Sequence, residues 1–448
     1  MAELDVDRAI PPDAVPFREA LLFWLKLGFI SFGGPAGQIA IMHEELVERR
    51  RWISEGRFLH ALNFCMVLPG PEAQQLATYL GWLMHRTLGG VLAGALFVLP
   101  SLFILIGLSW VYVAYGNTPL IASLFYGIKP AVTAIVLHAA WRIGSRTVTN
   151  SWLAAIAVAS FIATLSGNIS FPLIIFGAAV LGYLGGRMKP ERFTTKGSHG
   201  TGVKQKGVAL IDDESRRPPH THFRPRRLIF IIVAGLSLWL VPMLIFTSAF
   251  GWDHLLTQMG WFFTKAALLT FGGAYAVLPY VFDGAVEQFG WVTTAQMMDG
   301  LALGETTPGP LIMIVAFVGF VGGYASQAMS AVSPFWTGVS AAVVVTWFTF
   351  LPSFLFILAG GPLVESSRQT PAFTAPLTAI TAAVVGVIAH LALYFGQHVI
   401  APDWSLASLD WQAMGITILA AFALFRLKRG VLEVIGGSAL IGVLIGLL

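Results

Sequence analysis

A lysine, a Phe-Gly-Gly and a Pro-Gly-Pro occur twice in this chain, in the same order, each pair 239 positions apart. The first copy runs Lys26, Phe32-Gly33-Gly34, Trp52 and Pro69-Gly70-Pro71; the second runs Lys265, Phe271-Gly272-Gly273, Trp291 and Pro308-Gly309-Pro310. Both copies lie in apolar stretches long enough to cross a bilayer. There a lysine costs about 2.5–3.5 kcal/mol. A break in a helix also frees backbone groups that hydrocarbon cannot satisfy. The chain must therefore fold, twice over, around interrupted helices that carry a cation.

Composition sets the class. Of 448 residues, 56% are hydrophobic and 11% charged, against about 25% charged in soluble domains. The apolar material comes in blocks of about 20 residues or more, the length of a helix spanning ~30 Å of hydrocarbon. These blocks are continuous, without the alternation of barrel strands. The expected fold class is all-α, a polytopic membrane protein. Cys65 is the sole cysteine, so an intrachain disulfide or a multi-cysteine metal site is excluded. Residues 1–16 lack the basic start and apolar centre of a signal peptide.

The organisation reads as an N-terminal tail (1–16), a first membrane half of six apolar blocks (17–186), a basic linker (187–227), an extra transmembrane block (228–250) and a second half (251–448). Leu99-Pro100-Ser101 corresponds to Leu351-Pro352-Ser353, after an insertion of 13 residues in the second half. Six blocks per half would give parallel repeats, and the extra block inverts the second. Inverted halves with broken helices are a transporter architecture whose substrate sits near the midplane. Charge bias predicts about 13 crossings with the N-terminus inside and the C-terminus outside. One loop breaks the rule: Arg49, Arg50, Arg51 and Arg57 would lie outside, matched by Glu44, Glu45, Glu48 and Glu55. Either that loop is an amphipathic interfacial helix, or the first two blocks of each half do not fully cross. The linker, with 11 Lys and Arg, reads as a disordered cytoplasmic connector near lipid headgroups.

Lys26, Lys129 and Lys265 lie well inside apolar blocks. Snorkelling, or pairing with a carboxylate, is the bland reading of each; intramembrane charge more often marks a functional site. The breaks favour an anion site, because a half-helix that starts after a break offers N–H donors and a positive dipole. Glycine lets an oxyanion approach the backbone, and Pro71 and Pro310 suit the first turn of such a half-helix. The carboxylates are not duplicated: Glu72 corresponds to Leu311, and Glu305 to Met66. Each could pair a lysine or carry a proton. Thr306 and Thr307 can donate to an oxyanion or satisfy a broken backbone. Gln74, Gln75, Asn63 and Asp299 are lesser candidates, and His138 and His390 read as packing residues. No metal constellation, phosphate loop or dinucleotide fingerprint occurs, so no cofactor, ATP coupling, enzyme activity or nucleic-acid partner is expected.

The stretch from Phe23 to Trp82, with FWLKLGFISFGGPAG and VLPGPEAQQ, resembles the N-terminal half of the chromate ion transporter (CHR) family, long-chain bacterial type. FTKAALLTFGGAYAVLPYV and LALGETTPGPLIMIVAFVGF resemble its C-terminal half. The resemblance implies a multi-pass bacterial inner-membrane protein that expels chromate chemiosmotically and confers chromate resistance. It places functional regions on Lys26, Phe32, Gly33, Gly34, Pro69, Gly70, Pro71 and Glu72. In the second half these fall on Lys265, Phe271, Gly272, Gly273, Glu305, Thr306, Thr307, Pro308, Gly309 and Pro310. The alternatives are transport of sulfate or another oxyanion, even inward, and a non-transporting membrane sensor or scaffold. Oligomeric state is not legible.

Overall fold

The computed structural model describes residues 15–193, 209–212, 219–326, 333–366, 374–402 and 408–447. Nearly all of the N-terminal tail and most of the linker lie outside these residues. The first half holds α1 (Phe17–Ile30), α2 (Gly34–His43), α3 (Glu55–Val67), α4 (Glu72–Tyr115), α5 (Pro119–Thr147), α6 (Ser151–Leu165) and α7 (Phe171–Met188). The extra block is α8 (Pro225–Phe250). The second half holds α9 (Leu255–Leu269), α10 (Leu278–Phe282), α11 (Thr294–Thr306), α12 (Ile314–Ala325), α13 (Pro334–Ser366), α14 (Thr374–Ile400), α15 (Trp411–Phe425) and α16 (Val431–Leu447). The duplication reaches fine detail: α2 and α10 each run into a π-helical turn, Glu44–Arg49 and Asp283–Gln288.

The 44 residues of α4 are two arms, because His85 (φ −132°) and Arg86 (φ 57°) leave helical geometry. The arms fold back on each other through small residues. A Cβ on Gly81 would lie 2.5 Å from that of Ala93, and one on Gly90 would lie 2.8 Å from the Thr78 carbonyl. In the second half α12 and α13 form the same hairpin, with Gly319 and Gly323 against Ala341.

The first two blocks of each half enter and leave at one end. Arg50 bonds Glu19 at 3.0 Å and the Trp52 ring packs on Phe23, so the chain beyond α2 returns to the start of α1. Arg57 at the start of α3 and Tyr79 on the first arm of α4 hold the same carboxylate, Glu365. In the second half Phe289 and Trp291 return to Phe262, and Gly300 and Gly304 of α11 pack against Phe317 and Ile314. Length explains it. At 1.5 Å per residue, α1 and α3, of 14 and 13 residues, reach only about 20 Å, short of the hydrocarbon thickness.

The two sets of hairpins enter from opposite ends. His85 Nε2 donates to the Val15 carbonyl at 2.9 Å, so α1 begins beside the α4 turn. Tyr112, about 40 Å further along the second arm, donates to Asp299 in the middle of α11. The halves are therefore inverted. Among the described residues the chain runs end to end nine times: in the second arm of α4, α5 to α8, and α13 to α16. The expected 13 is reduced because four blocks fold back. By length and apolarity, α4, α5, α7, α8, α13 and α14 can each cross a membrane, and α6, α15 and α16 are shorter apolar helices.

The halves interlock. α14 packs on α6 and α7, and α5 packs on α15 and α16. Glycines permit the approach, Gly182 against Ala379 and Gly127 against Gly442, as small residues do between membrane helices. Folding back also removes the charge anomaly. Arg49, Arg50, Arg51 and Arg57 now share an end with Arg86, Arg146, Arg187, Arg224 and Arg426. Among the described residues, the connections at the other end, 116–118, 166–170, 251–254 and 289–293, contain no Lys or Arg.

Candidate functional site

The four breaks meet. The Gly70 amide donates to the Thr270 carbonyl at 2.7 Å, and the Gly309 amide donates to the Ser31 carbonyl at 2.8 Å. Each bond joins the second break of one half to the first break of the other, and the two bonds are related by the 239-residue repeat. Gly70 (φ 128°) and Gly309 (φ 103°) hold conformations that side chains rarely adopt. They must also be bare for a second reason. A Cβ on Gly70 would lie 2.3 Å from Ser353 Oγ, and one on Gly309 would lie 2.8 Å from the Ser101 Cβ. Ser101 and Ser353 are the paired serines that follow Pro100 and Pro352, so each long helix passes the other half's Pro-Gly-Pro break.

Polar groups line this crossing unequally. Gln38 Nε2 donates to the Gly309 carbonyl at 2.6 Å, and Gln75 Nε2 donates to the Pro69 carbonyl at 2.7 Å. Their counterparts in the second half are Val277 and Ile314. Gln74 Nε2 donates to Thr78 Oγ1 at 3.0 Å. Ser31 Oγ, Ser101 Oγ and the Oε1 atoms of Gln38, Gln74 and Gln75 are buried without a hydrogen-bond partner among the described residues. Buried polar atoms left open are costly unless water or a ligand meets them. Gln74 and Gln75 were minor candidates in the sequence. Ser31 and Gln38 carried no signal beyond lying beside the first break.

The other expected residues sort into three groups. Pro69, Gly70, Pro71, Pro308, Gly309 and Pro310 form the crossing, with Pro71 and Pro310 capping the following helical segments rather than occupying their first turn. Gly33, Gly34, Gly272 and Gly273 complete the first breaks with positive φ. Phe32 is exposed and Phe271 half-buried, and their amides reach back to Ile30 and Leu269 in matching tight turns.

Lys26 lies on the exposed face of α1 with Leu22, Leu25 and Phe29, opposite the buried Phe23, Trp24 and Leu27. Lys265 is half-buried, with its ammonium 5.8 Å from the centroid of the Trp261 ring. Neither has an ion-pair partner among the described residues, whereas Lys129 lies 3.6 Å from Asp299. Glu305 accepts a hydrogen bond from Tyr275, whose ring lies 5.9 Å from the Arg142 guanidinium. Glu72 is half-buried at the start of the first α4 arm. Thr306 and Thr307 donate to the Leu303 and Gly304 carbonyls, so their hydroxyls serve the end of α11. His138 and His390 pack against Phe425 and Phe161.

A family model described as chromate transporter matches residues 18–183 and 257–443, one region in each half. A chromate transport protein of Pseudomonas aeruginosa is 32% identical over 87% of this chain and 83% of its own length. A probable chromate transport protein of Synechococcus elongatus is 29% identical over 86% of both chains. A chromate transport protein of Cupriavidus metallidurans is 26% identical over 95% of this chain and 92% of its own. No solved structure matches the chain.

Proposed function

Because the chain belongs to the chromate transporter family, we propose that it exports chromate from the bacterial cytoplasm across the inner membrane and so confers chromate resistance. The observation that carries the site is the reciprocal pair of bonds between breaks, Gly70 to Thr270 and Gly309 to Ser31. Both bonds run between the halves, so rocking one half on the other remakes them together. The open oxygens of Ser31, Ser101 and the glutamines are the polar surface that an oxyanion or its water meets there. Lys26 and Lys265, each on the turn before a first break, supply positive charge. Glu72 and Glu305 gate the path or carry protons.

The basic end faces the cytoplasm in this reading, following the preference of Lys and Arg for that side. Direction then follows from charge. One charge crossing 100 mV is worth about 2.3 kcal/mol, so a dianion leaving an inside-negative cell gains roughly 4.6 kcal/mol. Export needs no further coupling until the concentration gradient opposes it by about three decades.

The test is flux in liposomes that contain the purified protein under an imposed potential. Chromate should move toward the positive compartment, and its absence there sinks the transport reading. Competition by sulfate, which has the same shape and charge, measures selectivity. Proton coupling requires the flux to change when the pH gradient is collapsed at constant potential.

A further inference from the structure

The two ends of the protein are closed differently. At the basic end, Arg57 of α3 and Tyr79 of α4 both bind Glu365 of α13. The Arg57 and Glu365 side chains are 10% and 2% exposed, and the Tyr79 hydroxyl donates at 2.6 Å. At the opposite end a similar trio also joins the halves, but loosely. Lys129 of α5 lies 3.6 Å from Asp299 Oδ2, the Tyr112 hydroxyl donates to the same oxygen at 2.9 Å, and Asp299 Oδ1 is buried with no hydrogen-bond partner. Lys129 is 29% exposed against 3% for Asp299. It lines a cavity of about 240 Å³ with Tyr126, Thr294, Met298 and His398.

Lys129 is the cation that lines this cavity, and among the described residues the connections at this end contain no Lys or Arg. Its neighbours are engaged elsewhere. The Tyr126 hydroxyl donates to Asp410 at 2.7 Å, and His398 Nδ1 donates to the Tyr394 carbonyl at 3.1 Å. A separation of 3.6 Å exceeds a hydrogen bond, so the ammonium is not locked onto Asp299.

We infer that this cavity is a second oxyanion site, at the end remote from the basic loops, where a tetrahedral dianion and Asp299 compete for Lys129. This rests on the transport reading. An anion arriving from the crossing draws Lys129 off Asp299. Return of the ammonium to the carboxylate releases the anion, and the nearby Asp410 keeps affinity low, as release requires.

The experiment measures chromate flux in liposomes together with labelling of Ala295→Cys, an exposed position on the cavity wall. The native Cys65 is buried and leaves the background clean. Asp299→Asn should lower half-saturating chromate at least tenfold and slow turnover, because the competitor is gone. Lys129→Gln should raise half-saturation and Lys129→Arg should restore it. Sulfate, which does not oxidise thiols, should protect Ala295→Cys from an impermeant thiol reagent, and Lys129→Gln should abolish that protection. Unchanged kinetics in Asp299→Asn, or absent protection, overturns the inference. Should Asp299→Asn fail to fold, the protection result alone decides. Wild-type chromate flux is the control: its absence defeats the transport reading, whereas flux without protection defeats only the second site.

Discussion

The amide of Gly70 bonds the carbonyl of Thr270 across 200 residues of sequence, at 2.7 Å, and thereby ties the second break of the first half to the first break of the second. The same bond recurs between Gly309 and Ser31. Because neither glycine has room or backbone freedom for a side chain, Gly70→Ala should lower stability by about 1–3 kcal/mol and abolish flux. Adding Ser353→Ala removes the 2.3 Å clash but neither the 2.6 Å approach to Gln75 Nε2 nor the positive φ, so the double variant should recover only part of the loss. Thermal unfolding in detergent measures both.

The seal at the basic end makes a separate prediction. Arg57→Ala strands the Glu365 carboxylate, 2% exposed, and should cost about 3–5 kcal/mol, whereas replacing both residues by apolar ones of similar volume should be far milder. A double-mutant cycle in thermal unfolding checks this, and additive losses would contradict a paired charge.

Lys26 and Lys265 make no ion pair among the described residues, so Lys26→Ala and Lys265→Ala should each leave the protein folded in the membrane while reducing chromate flux strongly. Full efflux by the double variant would remove both lysines from the site.

Gln75→Ile copies the residue found at Ile314 in the other half. It removes the donor to the Pro69 carbonyl, 2.7 Å away, and should cost about 1–3 kcal/mol. If the polar lining on the first half serves the anion, flux should fall further than the stability change explains. Flux at a temperature well below both midpoints separates the two effects.

Sidedness tests the folded-back blocks. Glu48 and Ser166 are both exposed and lie at opposite ends of the protein. Cysteines placed there should react with an impermeant reagent from opposite sides of the membrane. Thirteen full crossings would put them on the same side.

Much of this architecture was legible because it rests on local or periodic signals. Apolar block length made the chain a helical membrane protein, the 239-residue repeat identified both sets of breaks, and its continuation after the 13-residue insertion paired Ser101 with Ser353. The glycines at 70 and 309 marked two of the breaks, but their contacts with Ser353 and Ser101 were not legible. Block length misled in one respect. Residues 17–42 and 58–84 each contain enough apolar chain to cross, and hydropathy does not record that Ser31-to-Gly33 and Leu68-to-Pro71 reverse its direction.

By itself, then, the sequence determined the class, the duplication and the location of every break, since these follow from solvation in hydrocarbon and from backbone sterics within a few residues. Only the tertiary structure decided which break meets which, that Gln38 and Gln75 reach the crossing, and that Lys129 faces Asp299 while Lys26 lies on the exposed face of α1. Those outcomes depend on how two inverted halves interlock. The contacts join residues as much as 308 positions apart, as Arg57 and Glu365 are, and such pairings arise from packing between helices rather than from any preference encoded along one of them.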